Sequence, residues 1–401
     1  MLKRIAIDDL RVGMYVEAVT KQKGALKIKT QGRVSSQQVI EKLRKQGILE
    51  LAVHPQEETP KEPQEKPQVE SEPEQKKEQP PADPRERTRS FDQEIKQASK
   101  LYNQAKKFQK KAFADVKAGR KVNSAEMEAV ADGFIDSVFR NQDALTCMTR
   151  IREKDAYLLE HSVNVSILMT ILAKHMKLDK EMIHELATGA LLHDIGKIKI
   201  DDKILHKPGR LTPEEMAIMQ SHVVHSKEIL SAADNISPIS LDIASNHHER
   251  IDGSGYPNGS SGDDISMHAR MIAIVDAYDA MTADRCYKDG MNPINALKLL
   301  MNSSKTAYDA KIIQQFIQAV GVHPVGSLVL LKSGKLAIVT ETNFTEPLKP
   351  VVKVFYNTKT NHYMEIRDID LTQSSEAIAS SVKPDKFNLD LGRFFKEAIL
   401  H

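Results

Sequence analysis

No tryptophan occurs in this chain of 401 residues, and aromatic side chains make up only 5% of it. Its core has to come mostly from Leu, Ile, Val, Ala and Met, which suits a helix-rich protein. Cysteine is nearly absent too. Cys147 and Cys286 stand far apart and fit neither a thiolate metal spacing nor a disulfide framework. They are expected as reduced thiols in a cytoplasmic protein. No apolar run approaches the roughly 20 residues that a helical membrane span needs. The opening MLKRIAIDDLRVG is charged too early and too often for a signal peptide. Neither sign of charge dominates. With 57 Lys and Arg against 55 Asp and Glu, the formal net charge is +2. No general attraction to a nucleic acid polymer or an acidic membrane follows from that.

The length predicts two or three domains. Residues 1–54 read as a small α+β unit: IAIDDL and MYVEAV have strand-like spacing, Ser35 or Ser36 starts a helix through Gln46, and ILELAVHP is a strand. Residues 55–88 hold eight of the 17 prolines among Glu, Gln and Lys. Such a stretch buries too little apolar surface to offset ordering and is expected to be a disordered linker. Residues 89–148 read as a helical connector. Phe91, Ile95, Ala98, Tyr102, Ala105 and Ala112 follow helical spacing, either against the chain's own core or as a homodimer helix. Residues 149–323 are helical throughout, with Asp179 and Thr212 as start signals. Residues 324–401 change texture, into a β appendage and a terminal helix. VGSLVLLKSG, KLAIVTETN and VVKVFYNTKT read as strands, with Ser333-Gly334 as a hairpin turn.

Within the helical stretch two runs stand out: HDIGK at His193–Lys197 and HHERIDGSGYP at His247–Pro257. Clustered imidazoles and carboxylates are what a borderline transition-metal ion takes as ligands. Burying His193 and Asp194 after Ala-Leu-Leu is costly without a partner, and a metal supplies one. Asp279 lies one helical turn after Asp276 and could orient a histidine.

These motifs resemble the HD-GYP family of metal-dependent phosphohydrolases, whose members hydrolyse cyclic di-GMP. The resemblance runs from about Asp155 to Val322. The fold it implies is mainly α: an HD-type all-helical hydrolase domain, here with the α+β N-terminal domain and the short β appendage. Residues 1–54 resemble the poorly understood domain often found ahead of HD-GYP domains. By resemblance, His161, His193, Asp194, His222, His247, His248 and Asp276 are metal ligands. Asp194 bridges two divalent ions, iron or manganese, which hold the attacking hydroxide. Lys197 serves catalysis and binds a phosphate oxygen. Asp252, Gly253, Gly255, Tyr256 and Pro257 form the substrate-side loop, which also suggests docking to GGDEF-domain proteins. Arg285 and Lys288 match positions that take the second phosphate or guanine.

Four departures qualify the match. Tyr157 stands where a third ion would require glutamate, which implies a dinuclear site. Ser226 and Cys286 replace the usual glycine and proline. His225 has no ligand counterpart and is expected behind the ligands or in a structural role. The expected products are pGpG, GMP or both. Two rival readings stay open: an HD phosphohydrolase for another nucleotide, and a weakly catalytic cyclic di-GMP sensor.

Overall fold

The computed structural model describes residues 3–11, 14–22, 32–34, 40, 43–44, 48–53, 87–151, 157–283, 290–304, 306–387 and 389. It divides into two compact units, residues 1–78 and 79–401. The first contains an antiparallel sheet of β1 (Lys3–Ala6), β2 (Tyr15–Gln22), β3 (Gly32–Arg33) and β4 (Ile48–Val53), in the order β1-β4-β2-β3. Ile5 pairs with Leu51 and Val19 also pairs with Leu51, so β4 is central. Its apolar residues bury Ile48, Leu51 and Val53 with Val16 and Ile40. The strand expected over IAIDDL stops at Ala6, and Ile7–Asp9 form a 3-10 turn. Most of the helix expected from Ser35 to Gln46 lies outside the described residues.

The second unit starts with α1 (Phe91–Lys117) and α2 (Ser124–Met148). Ser90 opens α1 with a reciprocal cap: its hydroxyl accepts from Gln93 N, and Gln93 returns a bond to Ser90 N. Phe91, Ile95, Ala98, Tyr102, Ala105 and Ala112 are all buried in a core shared with later helices. The stripe therefore packs on its own chain. Arg87 and Thr88, at the end of the expected linker, are bonded into this unit: Arg87 to Asp143, and Thr88 N to Arg140 O.

The helices that follow are α3 (Tyr157–His175), α4 (Lys180–Leu192), α5 (Asp202–Leu205), α6 (Pro213–Gln220), α7 (His222–Ser231), α8 (Pro238–Asn246), α9 (Met267–Thr282), α10 (Pro293–Ser303) and α11 (Ala310–Val320). Asp179 caps α4 by accepting from Met182 N, and Thr212 with Glu215 forms a capping box on α6. From Glu160 to Ala173 every residue of α3 is buried. A helix buried on all sides belongs at the centre of a bundle. Around it Leu168, Leu172, Leu186, Ile243, Ile272, Val275, Ile313 and Phe316 pack as one cluster.

A five-stranded antiparallel sheet closes the unit: β5 (Leu328–Leu331), β6 (Lys335–Glu341), β7 (Val351–Asn357), β8 (His362–Asp370) and β9 (Ile378–Ser381), in the order β8-β7-β6-β5-β9. Gly334 turns the β5–β6 hairpin with φ +89°. The expected terminal helix falls outside the described residues, apart from a 3-10 turn at Pro384–Phe387. Among the described residues no helix is long and apolar enough to cross a membrane.

Candidate metal centre

Five helices converge their ends or faces on one buried point. His161 comes from α3, His193 and Asp194 from the end of α4, and His222 from the start of α7. His247 and His248 follow α8, and Asp276 comes from α9. His161, His193 and Asp276 form one tight group. His222, His247 and His248 form another, and His193, Asp194 and His247 join the two. Within each group the potential ligand atoms lie within 4.8 Å of one another. All seven sequence candidates are thus brought together.

A shared local device aims three of the histidines. His193, His222 and His247 each sit at a helix junction and donate Nδ1–H to the carbonyl three residues earlier. The acceptors are Ala190 O at 2.7 Å, Met219 O at 2.7 Å and Ala244 O at 3.0 Å. A carbonyl can only accept, so the bond fixes the tautomer and turns the Nε2 lone pair inward. His161 is oriented through Asp279, whose Oδ2 lies 2.8 Å from its Nδ1. Asp279 is fully buried.

Inside the ring the carboxylates sit between imidazoles. Asp194 Oδ1 lies 3.3 Å from His222 Nε2, and Oδ2 lies 3.4 Å from His193 Nε2. Asp276 Oδ1 lies 3.0 Å from His161 Nε2. His222 Nε2 and His247 Nε2 face each other at 3.3 Å although both rings already spend their Nδ1 protons on carbonyls. Two lone pairs that close repel. His193 Nε2 and Asp194 Oδ1 are buried without any hydrogen-bond partner. Buried acceptors converging without protons are what a cation resolves. The residues present fit divalent metal ions.

The electrostatics agree. Burial would raise Asp194, but Lys197 and His193 hold its carboxyl well below the usual range. Burial would likewise raise Asp276, and the hydrogen bond from His161 holds it well below. Burial pushes His247 far down and His248 to about 3. Burial alone would lower His161 too, yet Asp276 and Asp279 on its two nitrogens lift it to about 9.

Lys197 Nζ sits 2.5 Å from Asp194 Oδ2 and is partly exposed at the rim. Tyr256 lies against His248, ring centroids 4.6 Å apart and tilted by 32°. Gly255 packs so closely that a Cβ would lie 2.5 Å from Glu249 Cα and Arg250 N. Gly253 holds φ +78°. Pro257 is exposed. Asp252 is exposed and closes the turn by accepting from Ser254 N and Oγ. His225 departs from the expectation that it backs the ligands: its ring turns outward to Glu228 at 3.3 Å. Arg285, Cys286 and Lys288 lie outside the described residues.

Sequence reading missed Glu249. Its carboxylate is 2% exposed and accepts from Asn258 N at 2.8 Å and Ser260 N at 3.0 Å, so it cinches the glycine-rich loop. Its place directly after the His pair was the available signal. Arg250 then stacks on Tyr308 at 4.9 Å. Glu249→Ala is expected to lower stability by about 2–3 kcal/mol, since two charge-assisted bonds go and two amides lose their acceptor. Thermal unfolding of metal-free protein checks this; a drop within the scatter of surface alanine variants would refute it.

Comparison with known proteins agrees with this architecture. An HD domain matches residues 145–312, a domain of unknown function (DUF3391) matches residues 2–127, and a KOW domain associated with HD domain matches residues 328–389. The chain is 33% identical over 387 residues to the cyclic di-GMP phosphodiesterase PA4108 of Pseudomonas aeruginosa, covering 94% of this chain and 90% of that protein. It is 42% identical over 128 residues to 3'3'-cGAMP-specific phosphodiesterase 2 of Vibrio cholerae, covering 32% of this chain and 24% of that one. Among solved structures, the HDG"Y"P protein Bd1817 of Bdellovibrio bacteriovorus aligns over 79% of this chain and 98% of its own, at 16% identity and TM-score 0.47. The chain belongs to the HD-GYP family of HD-domain proteins, with the DUF3391 domain ahead of the HD domain.

Proposed function

We propose that this chain is a metal-dependent phosphodiesterase that hydrolyses cyclic di-GMP to pGpG, GMP or both. The observation that carries the reading is the convergence of buried, proton-poor imidazole nitrogens on two ionised carboxylates. The ligands would be His161, His193, Asp194 and Asp276 on one side, and Asp194, His222, His247 and His248 on the other. That is a dinuclear set, and mixed nitrogen and carboxylate donors suit iron or manganese. When bound, such ions polarise the phosphate and lower the pKa of water.

The chain's own residues supply the rest. Hydrolysis adds water across one P–O3′ bond, and the leaving 3′ oxygen takes up a proton. Lys197 would exchange its contact with Asp194 for a non-bridging phosphate oxygen and stabilise charge there. Tyr256 offers a half-buried ring beside His248 against which a base can stack. The backbone of the Asp252–Pro257 loop, held by Glu249, would bound the substrate on that side. Arg285 and Lys288 are assigned to the second phosphate or guanine. The same loop is a candidate surface for GGDEF-domain proteins.

The test is turnover by anaerobically purified protein loaded with iron or manganese, with cyclic di-GMP and 3'3'-cGAMP side by side. Faster hydrolysis of cyclic di-GMP supports the proposal. Preference for 3'3'-cGAMP would favour the rival substrate, and tight binding without product would favour a sensor.

Metal uptake should also release a proton. In metal-free protein at pH 7.5 His161 is protonated, since its pKa is lifted to about 9, whereas His247 and His248 are neutral. His161 should therefore release about one proton per chain on loading. Affinity should rise about tenfold per pH unit up to about pH 9. The sign for stability is opposite in the metal-free state. A raised histidine pKa stabilises the fold fully below its unfolded value near 6.5 and loses that contribution as pH climbs through about 9. Titration calorimetry in buffers of different ionisation enthalpy counts the proton. Zero release at pH 7.5 would contradict this account of His161.

A further inference from the structure

Ser226 is fully buried on α7, one turn after His222. Its hydroxyl donates to His193 O at 2.8 Å and accepts from Gly196 N at 2.9 Å. Both partners belong to the turn that carries His193 and Asp194. Apart from contacts among the candidate ligands themselves, these are the two hydrogen bonds that join this turn to α7 among the described residues. The approach is close. A Cβ on Gly196 would lie 2.1 Å from His222 O and 2.4 Å from Ser226 N. The turn and the helix are therefore in backbone contact, with one hydroxyl saturating both polar groups between them.

We propose that Ser226 is a positioning residue for the metal centre: its hydroxyl fixes the His193–Gly196 turn against the helix bearing His222, and so sets the spacing across which Asp194 joins the two halves of the donor cluster. The inference rests on the reading that this cluster binds metal ions. The spacing it governs is that of Asp194 Oδ1 and His222 Nε2, now 3.3 Å. One hydroxyl suits the task because it gives a proton to the carbonyl and takes one from the amide at once. Alanine offers neither bond and leaves both backbone groups buried and unpaired. They can recover partners only if the turn moves. Such a movement spreads ligands that must act together.

The experiment measures Mn2+ affinity of the full-length protein by the paramagnetic resonance signal of free Mn2+, with thermal unfolding of the metal-free form alongside. Ser226→Ala is compared with Leu230→Ala, a buried α7 residue whose side chain can make no hydrogen bond. Ser226→Ala should weaken Mn2+ binding by about tenfold or more. It should lower kcat on cyclic di-GMP while KM stays within about threefold. Leu230→Ala should lose stability but keep its Mn2+ affinity. If Ser226→Ala fails to fold, Ser226→Gly, which leaves room for a water at the hydroxyl position, carries the same comparison with a smaller expected loss. Wild-type affinity in the serine variant, or an equal loss in Leu230→Ala, overturns the proposal. A wild type that binds Mn2+ but leaves cyclic di-GMP intact would sink the functional reading alone, because the affinity comparison still judges Ser226. A wild type that binds no Mn2+ would sink both.

Discussion

Asp194→Ala should reduce metal content from about two ions per chain to below one and cut turnover by at least about 10³-fold, roughly 4 kcal/mol of barrier. Asp194 is the residue with an oxygen facing each half of the cluster: Oδ2 towards His161 and His193, Oδ1 towards His222 and His247. Removing any single histidine takes one donor from one side. Removing this carboxylate takes a donor and a negative charge from both, and it frees Lys197 from its partner. Asp194→Asn separates the two losses. It keeps the shape and one oxygen but no charge, so it should hold one ion weakly and remain at least about 10²-fold slow. Metal analysis of dialysed protein together with single-turnover hydrolysis measures both quantities. Normal turnover in Asp194→Ala would rule out the proposed chemistry. Normal turnover with a full metal count would further show that Asp194 is no ligand.

Why so much of this centre could be read from the chain is a matter of residue type. His193-Asp194 and His247-His248 are costly groups in apolar surroundings, and their presence there already demands a compensating partner. Caps were legible for the same local reason, because Asp179 and Thr212 each act on the amide three residues on. Contacts between distant segments were not. Glu249 serves amides nine and eleven residues on, and Ser226 serves a turn thirty residues earlier. Neither partner carries a side-chain signal, because backbone groups look alike in every sequence. β8 escaped for a different reason. HYMEIRDID is mostly exposed along its length, so no alternation of buried and exposed residues marks it as a strand. β9 is four residues long, too short for a pattern. His225 lies only one turn after a ligand, yet its ring meets Glu228 rather than the cluster.

Arg87 is where the reading of the linker and the structure part most consequentially. Composition extends the linker through residue 88, so deletion of residues 1–88 should be harmless to the catalytic unit. The geometry predicts otherwise. Arg87 Nη2 donates to Asp143 Oδ2 and to Thr342 O, both at 2.6 Å, and Nη1 reaches Glu341 Oε2 at 3.2 Å. One guanidinium thus joins the entry to α1, the last part of α2 and the end of β6. Asp143 is 1% exposed at its side chain, and its own helix is broken beside it, where Asn141 leaves helical geometry. Burial raises the Asp143 carboxyl above its ordinary value against the opposing pull of Arg87 and Thr342. Among the described residues, without Arg87 the carboxylate keeps the bonds from Thr342 N and Oγ1. Breaking a buried pair from one side costs about 3–5 kcal/mol. With Arg87 itself 27% exposed and Thr342 still bound, about 3 kcal/mol is expected. Protein beginning at residue 85 should unfold and turn over like the full chain, within about threefold in rate. Protein beginning at residue 89, and full-length Arg87→Ala, should both melt at least roughly 5 °C lower. Equal melting of the two truncated proteins would show that this ion pair holds nothing together. Equal melting with slower turnover from residue 85 would instead place a contribution to activity in residues 1–84.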